Sequence, residues 1–182
     1  MKEALLIIDM QNGVARRREF AREAILKIRQ VLDAFREKGE PVIHILRVHR
    51  PDGSDVEKFR LAGFKEQPFL VEGTEDAEVV EELKPINGEY TVKKQRFSAF
   101  FQSNLEMILK RLGIDMLVIC GVQTPNCVRA TVVDAIGYDY DIILLSDATR
   151  AASEEVHKAN LHDMENMGVG ISTTEEFING LK

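Results

Sequence analysis

Short apolar runs alternate with longer amphipathic segments along the chain, and that rhythm predicts βαβ units feeding a parallel sheet. Six runs read as strands: Ala4 to Ile8, Pro41 to Leu46, Glu89 to Lys93, Met116 to Cys120, Asp141 to Leu145 and Val169 to Ser172. The segment after the first strand is the clearest helix. Phe20, Ala24, Ile25, Ile28, Val31, Leu32 and Phe35 fall on one helical stripe, and Gly39 ends it. Ser153 reads as the cap of a helix holding Val156, Ala159, Leu161 and Met164, which Gly168 stops, and Thr174 with Glu175 and Glu176 as the start of the last helix. The expected class is α/β, a doubly wound, Rossmann-like three-layer sandwich around a six-stranded parallel sheet, in one domain over residues 1–182. From Arg50 to Gly73 the pattern weakens into a charged, Gly- and Pro-punctuated connection, longer than a usual βα loop and expected to act as a lid or an oligomer contact.

Composition narrows the partners. A chain of 182 residues, 45% hydrophobic and 30% charged, has room for one well-buried core. Its net charge of −6 argues against a nucleic-acid or anionic-membrane surface, which leaves small molecules and other copies of itself. Phe59, Phe64 and Phe69 in the long connection are expected to bury against a neighbouring subunit of a homodimer or homotetramer. The start of the chain has no signal-peptide pattern and no run approaches a membrane span, so a cytoplasmic location is expected. Two cysteines make no disulfide framework, and Cys120, within a strand, reads as a small core residue.

The other cysteine is placed differently. In Gly121-Val122-Gln123-Thr124-Pro125-Asn126-Cys127-Val128, Thr124 reads as an N-cap and Pro125 as the first helical residue, which sets Cys127 in the first turn. Unpaired N–H groups and the positive end of the helix dipole are expected to lower its thiol pKa there, although a buried, inert cysteine is the blander reading. In an open parallel sheet, ligands gather beyond the carboxyl ends of the strands. The residues at those ends are Asp9, Arg47, His49, Lys94, Gln123 to Cys127, and Asp147. Asp9 leaves an apolar wall that favours a general-base pKa, and Lys94 beside it would oppose that shift. Each alone reads as a turn residue or a solvated charge; an acid, an amine and a thiol together read as chemistry.

Leu6-Ile7-Ile8-Asp9-Met10-Gln11-Asn12, Lys93-Lys94-Gln95-Arg96-Phe97-Ser98-Ala99-Phe100, Gly121 to Val128 and Ala130-Thr131-Val132-Val133-Asp134-Ala135 together resemble the isochorismatase-like cysteine hydrolases, which include the nicotinamidases. The resemblance covers nearly the whole chain, with the blocks in the family's order. It implies a catalytic triad of Asp9, Lys94 and Cys127, an oxyanion hole from the N–H groups of Gln123 and Cys127, and a cis Val122–Gln123 peptide. The implied reaction is thiolate attack on an amide or ureido carbonyl, with a thioester intermediate. The alternatives are vinyl ether hydrolysis of the isochorismatase type, which needs an acid more than a thiol, and a non-catalytic ligand-binding relative.

The chain departs from the nicotinamidase pattern at one informative place. Where those enzymes carry an Asp-x-His metal motif after the second strand, this chain has Arg47-Val48-His49. A cation at Arg47 would repel a divalent metal, and His157 and His162 share no helix face, so no metal and no other cofactor is expected. Nicotinamide is correspondingly disfavoured against another small amide. Expected substrate contacts are Gln11, Arg47, His49, Arg96 and Phe100, with His49 reading first as a strand-end hydrogen-bonding residue. Phe97 and Phe20 read as aromatic walls or plain core, His44 as a sheet-face histidine, and Arg16-Arg17-Arg18 as a solvated loop rather than a carboxylate grip.

Overall fold

The computed structural model describes residues 1–15 and 19–180; the arginine run Arg16 to Arg18 lies outside the described residues. The strands are β1 (Glu3–Ile8), β2 (Val42–Arg47), β3 (Tyr90–Lys94), β4 (Met116–Val122), β5 (Asp141–Arg150) and β6 (Gly170–Ser172). All pair in parallel, in the order β3-β2-β1-β4-β5-β6. The helices are α1 (Asn12–Ala15), α2 (Glu19–Lys38), α3 (Leu61–Glu66), α4 (Leu105–Leu112), α5 (Arg129–Gly137), α6 (Glu154–Asn166) and α7 (Thr174–Gly180). Among the described residues no helix is long and apolar enough to cross a membrane.

β1 shows why the strands read as unbroken apolar runs. Leu5 and Ile7 pack with Ile28, Val31, Leu32 and Phe35 of α2 and Phe177 of α7. Ala4, Leu6 and Ile8 point the other way, into a core with Leu105 and Leu109 of α4, Val132 of α5 and Met164 of α6. A strand buried on both faces has no polar side to alternate with. Each of its large side chains contributes about 1.5–3 kcal/mol by leaving water. Gly39 takes a left-handed φ of 67° after α2, as expected of a helix-ending glycine.

α7 starts at Thr174, as expected, and is capped by Thr173, whose Oγ1 accepts from Glu176 N while Glu176 Oε2 accepts from Thr173 N, a reciprocal capping box. Two local expectations need correcting. Asp147 lies inside β5, which runs on to Arg150 after a register shift beside Gly121, and its carboxylate accepts from Thr174 N and Oγ1, both at 2.7 Å. It anchors a helix start instead of facing a ligand. Phe64 is buried within the chain and Phe69 is half-buried: their rings pack edge-on against each other and against His49, with centroids 5.4 to 5.9 Å apart. Of the three aromatics expected at a subunit contact, Phe59 alone is exposed, at 71%.

Candidate active site

The strand order reverses between β1 and β4, and the two strands end side by side. Asp9 leaves β1 with a positive φ of 53°, its N–H tied to Ile45 O at 2.9 Å. Lys94 ends β3 and sends its ammonium beneath β2 to meet that carboxylate. Nζ donates to Asp9 Oδ2 at 2.9 Å and to Arg96 O at 3.1 Å. Lys94 is wholly buried and Asp9 nearly so, which leaves the pair little competition from water. Asp9 Oδ1 is buried as well and takes no conventional hydrogen bond from the described residues.

Gly121 lets β4 run this close to β1. Its φ is 112°, and a Cβ there would stand 2.2 Å from Ile8 O, so only glycine fits. The next peptide, Val122–Gln123, is cis. Thr124–Val128 then forms one π-helical turn that leads into α5, with Gln123 at the capping position. Thr124 therefore does not cap, contrary to expectation. Its hydroxyl donates instead to His157 Nδ1 at 2.8 Å, and His157 Nε2 donates to Ser146 O at 3.0 Å. A carbonyl can only accept, so Nε2 carries a proton, and in the neutral ring Nδ1 is then the acceptor. Burial pushes the His157 pKa down, in keeping with that form. The turn is also held from within: Gln123 O accepts from Asn126 N and Val128 N, and Thr131 Oγ1 donates to Cys127 O at 2.7 Å.

Cys127 sits in this turn at 7% exposure. Its thiol pKa is pushed up to about 11, first by burial and then by the Asp9 carboxylate, against the opposing pull of Lys94 and Arg47. The expectation of a lowered pKa counted the turn's N–H groups and left out desolvation. The resting group is a thiol beside a carboxylate. Cys120, fully buried with its pKa raised by burial, directs Sγ to Leu6 O at 3.6 Å and is core, as expected.

A cavity of about 490 Å³ opens over these groups, lined by Asp9, Val122, Gln123, Asn126 and Cys127 on the side of the strand ends. Arg47, Arg60, Phe97, Phe69, Leu70 and Val14 complete its wall. Arg47 is buried and donates through Nη1 to Glu57 Oε1 at 2.8 Å. Burial pulls its pKa down, but Cys127, Asp9 and Glu57 outweigh that and hold it above the ordinary arginine value. Nothing in the sequence marks Glu57 and Arg60, which lie in the aperiodic connection, where charges ordinarily face water.

Four of the expected contacts do not line the cavity. Gln11 spends its amide on structure, donating to Arg47 O and Ala77 O and accepting from Arg47 N, which pins β2 to the chain beyond β1. Arg96 is held by Asp55 O at 2.6 Å, and its own carbonyl supports Lys94. Phe100 stacks on Tyr138 and Tyr140 in the core away from the site. His49 is buried between Phe64 and Phe69, with Nδ1 3.4 Å from Asp55 Oδ1. Burial and then Arg47 push its pKa down. His44 is the sheet-face residue expected, bound through Nε2 to Glu89 Oε2 at 2.9 Å.

The residues present do not suit a divalent cation. Among the described residues no three His, Cys, Asp or Glu side chains converge, and the Arg47 guanidinium lies beside His49.

The Isochorismatase domain family matches residues 3–176. The chain belongs to the isochorismatase family. It is similar to a probable inactive nicotinamidase of Arabidopsis thaliana, 41% identical over 184 residues that span 96% of this chain and 93% of the relative. Among solved structures it superposes on an isochorismatase family protein of Desulfovibrio vulgaris with a TM-score of 0.94 and 40% identity, covering 99% of this chain and 98% of the other. N-carbamoylsarcosine amidase of Thermoplasma acidophilum shares the fold at a TM-score of 0.83 and 31% identity, over 96% and 97% of the two chains. The six-stranded parallel sheet flanked by helices is thus the isochorismatase-family fold.

Proposed function

We propose that this isochorismatase-family chain is a cysteine hydrolase that cleaves a non-peptide C–N bond in a small amide or carbamoyl compound through a thioester. The observation that carries this reading is the geometry at Asp9. One carboxylate oxygen is fixed by Lys94, while the other is buried, with no conventional hydrogen-bond partner among the described residues, in the cavity that also holds the Cys127 thiol. A carboxylate so arranged is a base with one thing left to do. Asp9 takes the Cys127 proton as sulfur attacks the carbonyl carbon, and the N–H groups of Gln123 and Cys127 receive the oxyanion. As the tetrahedral adduct collapses, the C–N bond breaks and Asp9 returns the proton to the leaving nitrogen. Water, deprotonated by Asp9, then adds to the thioester and releases the acid, and the sulfur regains its proton. Lys94 holds Asp9 in position through the Nζ–Oδ2 hydrogen bond while the proton comes and goes.

The amidase among the structural relatives supports a carbamoyl or amide substrate. Vinyl ether hydrolysis makes no use of the thiol. The Arabidopsis relative is named an inactive nicotinamidase, and Arg47 in place of the nicotinamidases' metal-binding acid disfavours nicotinamide here as well. The test is intact-mass measurement after incubation with a panel of small amides and ureido compounds. A substrate adds its acyl or carbamoyl mass to the chain, and Cys127→Ala abolishes both the adduct and the release of amine. Undiminished turnover by Cys127→Ala would end the scheme.

A further inference from the structure

Arg47 ends β2 inside the cavity that holds Cys127. A guanidinium presents five N–H donors in one rigid plane. Nη1 is engaged by Glu57, but Nη2 is buried and has no hydrogen-bond partner among the described residues. Buried cationic donors are ordinarily paired. Glu57 is already divided between two cations: its Oε1 accepts from Arg47, and its Oε2 lies 4.0 Å from Arg60 Nε. A second carboxylate is the group that matches the open side of the fork.

The fork is also held still. Arg47 and Arg60 both lie over the ring of Phe97, each 5.3 Å from its centroid, and all three residues line the cavity. Stacking on an aromatic face fixes the guanidinium plane before any ligand arrives. The rest of this wall, Val14, Phe69 and Leu70, is apolar and suits a short hydrocarbon spacer between two polar ends of a substrate. The fork and the Cys127 thiol line the same cavity, so one compact molecule can meet both.

We infer that the substrate carries a carboxylate, gripped by Arg47 through Nη2, and so belongs to the small N-carbamoyl or N-acyl acids rather than to the neutral amides. This rests on the hydrolase reading for the bond that is cut, but concerns the other end of the molecule. Arg47 is then a specificity residue outside the triad. A rival role, support of the Cys127 thiolate, would act on every substrate alike.

Two measurements on the full chain separate these possibilities. In the first, calorimetry with Cys127→Ala compares N-carbamoylglycine and N-carbamoyl-β-alanine with their carboxamides, so that no turnover intervenes. At least one acid binds about tenfold or more tightly than its amide, and adding Arg47→Lys brings that ratio to within about twofold. The pair variant Arg47→Gln with Glu57→Gln, which leaves no orphaned charge, gives the same collapse. Equal binding of acid and amide, no binding of either, or a ratio unmoved in both variants overturns the inference. In the second, the unmodified chain is assayed for amine release from the same compounds. Turnover of the amides alone sinks the inference and leaves the hydrolase reading standing. Preferential binding of acids without turnover of anything leaves the carboxylate grip standing and sinks the hydrolase reading.

Discussion

Thr124 Oγ1 donates a hydrogen bond to His157 Nδ1 at 2.8 Å, tying the start of the nucleophile turn to a helix that supplies nothing else to the site. His157→Phe keeps the bulk of the ring but removes both hydrogen bonds, leaving Thr124 and Ser146 O short of a partner. The variant is expected to lose about 1–3 kcal/mol of stability and to lower kcat more than it raises KM. Thermal unfolding and steady-state kinetics on an identified substrate check this. An unchanged kcat would mean the turn holds its shape without the histidine.

His44, His49 and His157 all have pKa values pushed below the ordinary histidine value, burial being the first cause in each. The unfolded chain takes up protons near pH 6.5 that the folded chain refuses. The stability linked to these groups is therefore fully present above about pH 6.5 and is lost as pH falls below it. Denaturant midpoints at pH 7.5 and 5.5 are expected to drop at the lower pH with unchanged slope. A flat midpoint would count against neutral, buried imidazoles.

Asp9→Asn separates thiol acidity from catalysis. The Asp9 carboxylate is one cause of the high Cys127 pKa, so its removal, with Lys94 kept, is expected to make iodoacetamide react faster near neutral pH. Hydrolysis falls in the same variant, by about 10²- to 10⁴-fold, because the proton has no acceptor. If alkylation slowed along with turnover, Asp9 would be doing something other than base work.

Lys94→Met leaves the Asp9 carboxylate buried without its cation. Breaking such a pair costs about 3–5 kcal/mol, which for a chain of this length lowers the midpoint of thermal unfolding by roughly 10 °C. Calorimetry or circular dichroism melting reads the shift. A loss of activity with an unshifted melt would assign Lys94 a purely chemical part.

Gly121→Ala puts a methyl group 2.2 Å from Ile8 O, at a φ that side chains rarely adopt. Backbone is the obstacle on both counts, and the strands must part. A loss of about 3 kcal/mol or more is expected, visible as a lowered denaturant midpoint. Full stability in this variant would show that β1 and β4 can separate at their ends at little cost.

The strands were legible because runs such as Leu5 to Ile8 are buried on both faces and bounded by charge. The cluster of Asp9, Lys94 and Cys127 was legible because Asp9, Lys94 and the turn of Cys127 each follow such a run. Contacts made by the long connection were not. Glu57 reaches Arg47 across ten positions with no periodic signal, and Phe64 and Phe69 close on His49, which the sequence could only present as exposed aromatics. The same limit explains Gln11. Two positions after Asp9, it reads as a ligand contact, yet all its polar atoms are spent on backbone. Nor does a short sequence window reveal desolvation, which is why the Cys127 thiol was expected to be acidic.

The three residues of the proposed triad end three separate strands, and β4, which delivers the sulfur, is inserted beside β1 after the β1–β2–β3 half of the sheet has been made by the chain. A growing polypeptide that has reached Lys94 already owns its acid and its cation but has no sulfur to activate. The thiol acquires a base only at the moment β4 docks. Under the proposed scheme, activity cannot return during refolding before β4 docks, and a fragment ending before β4 carries no thiol at all.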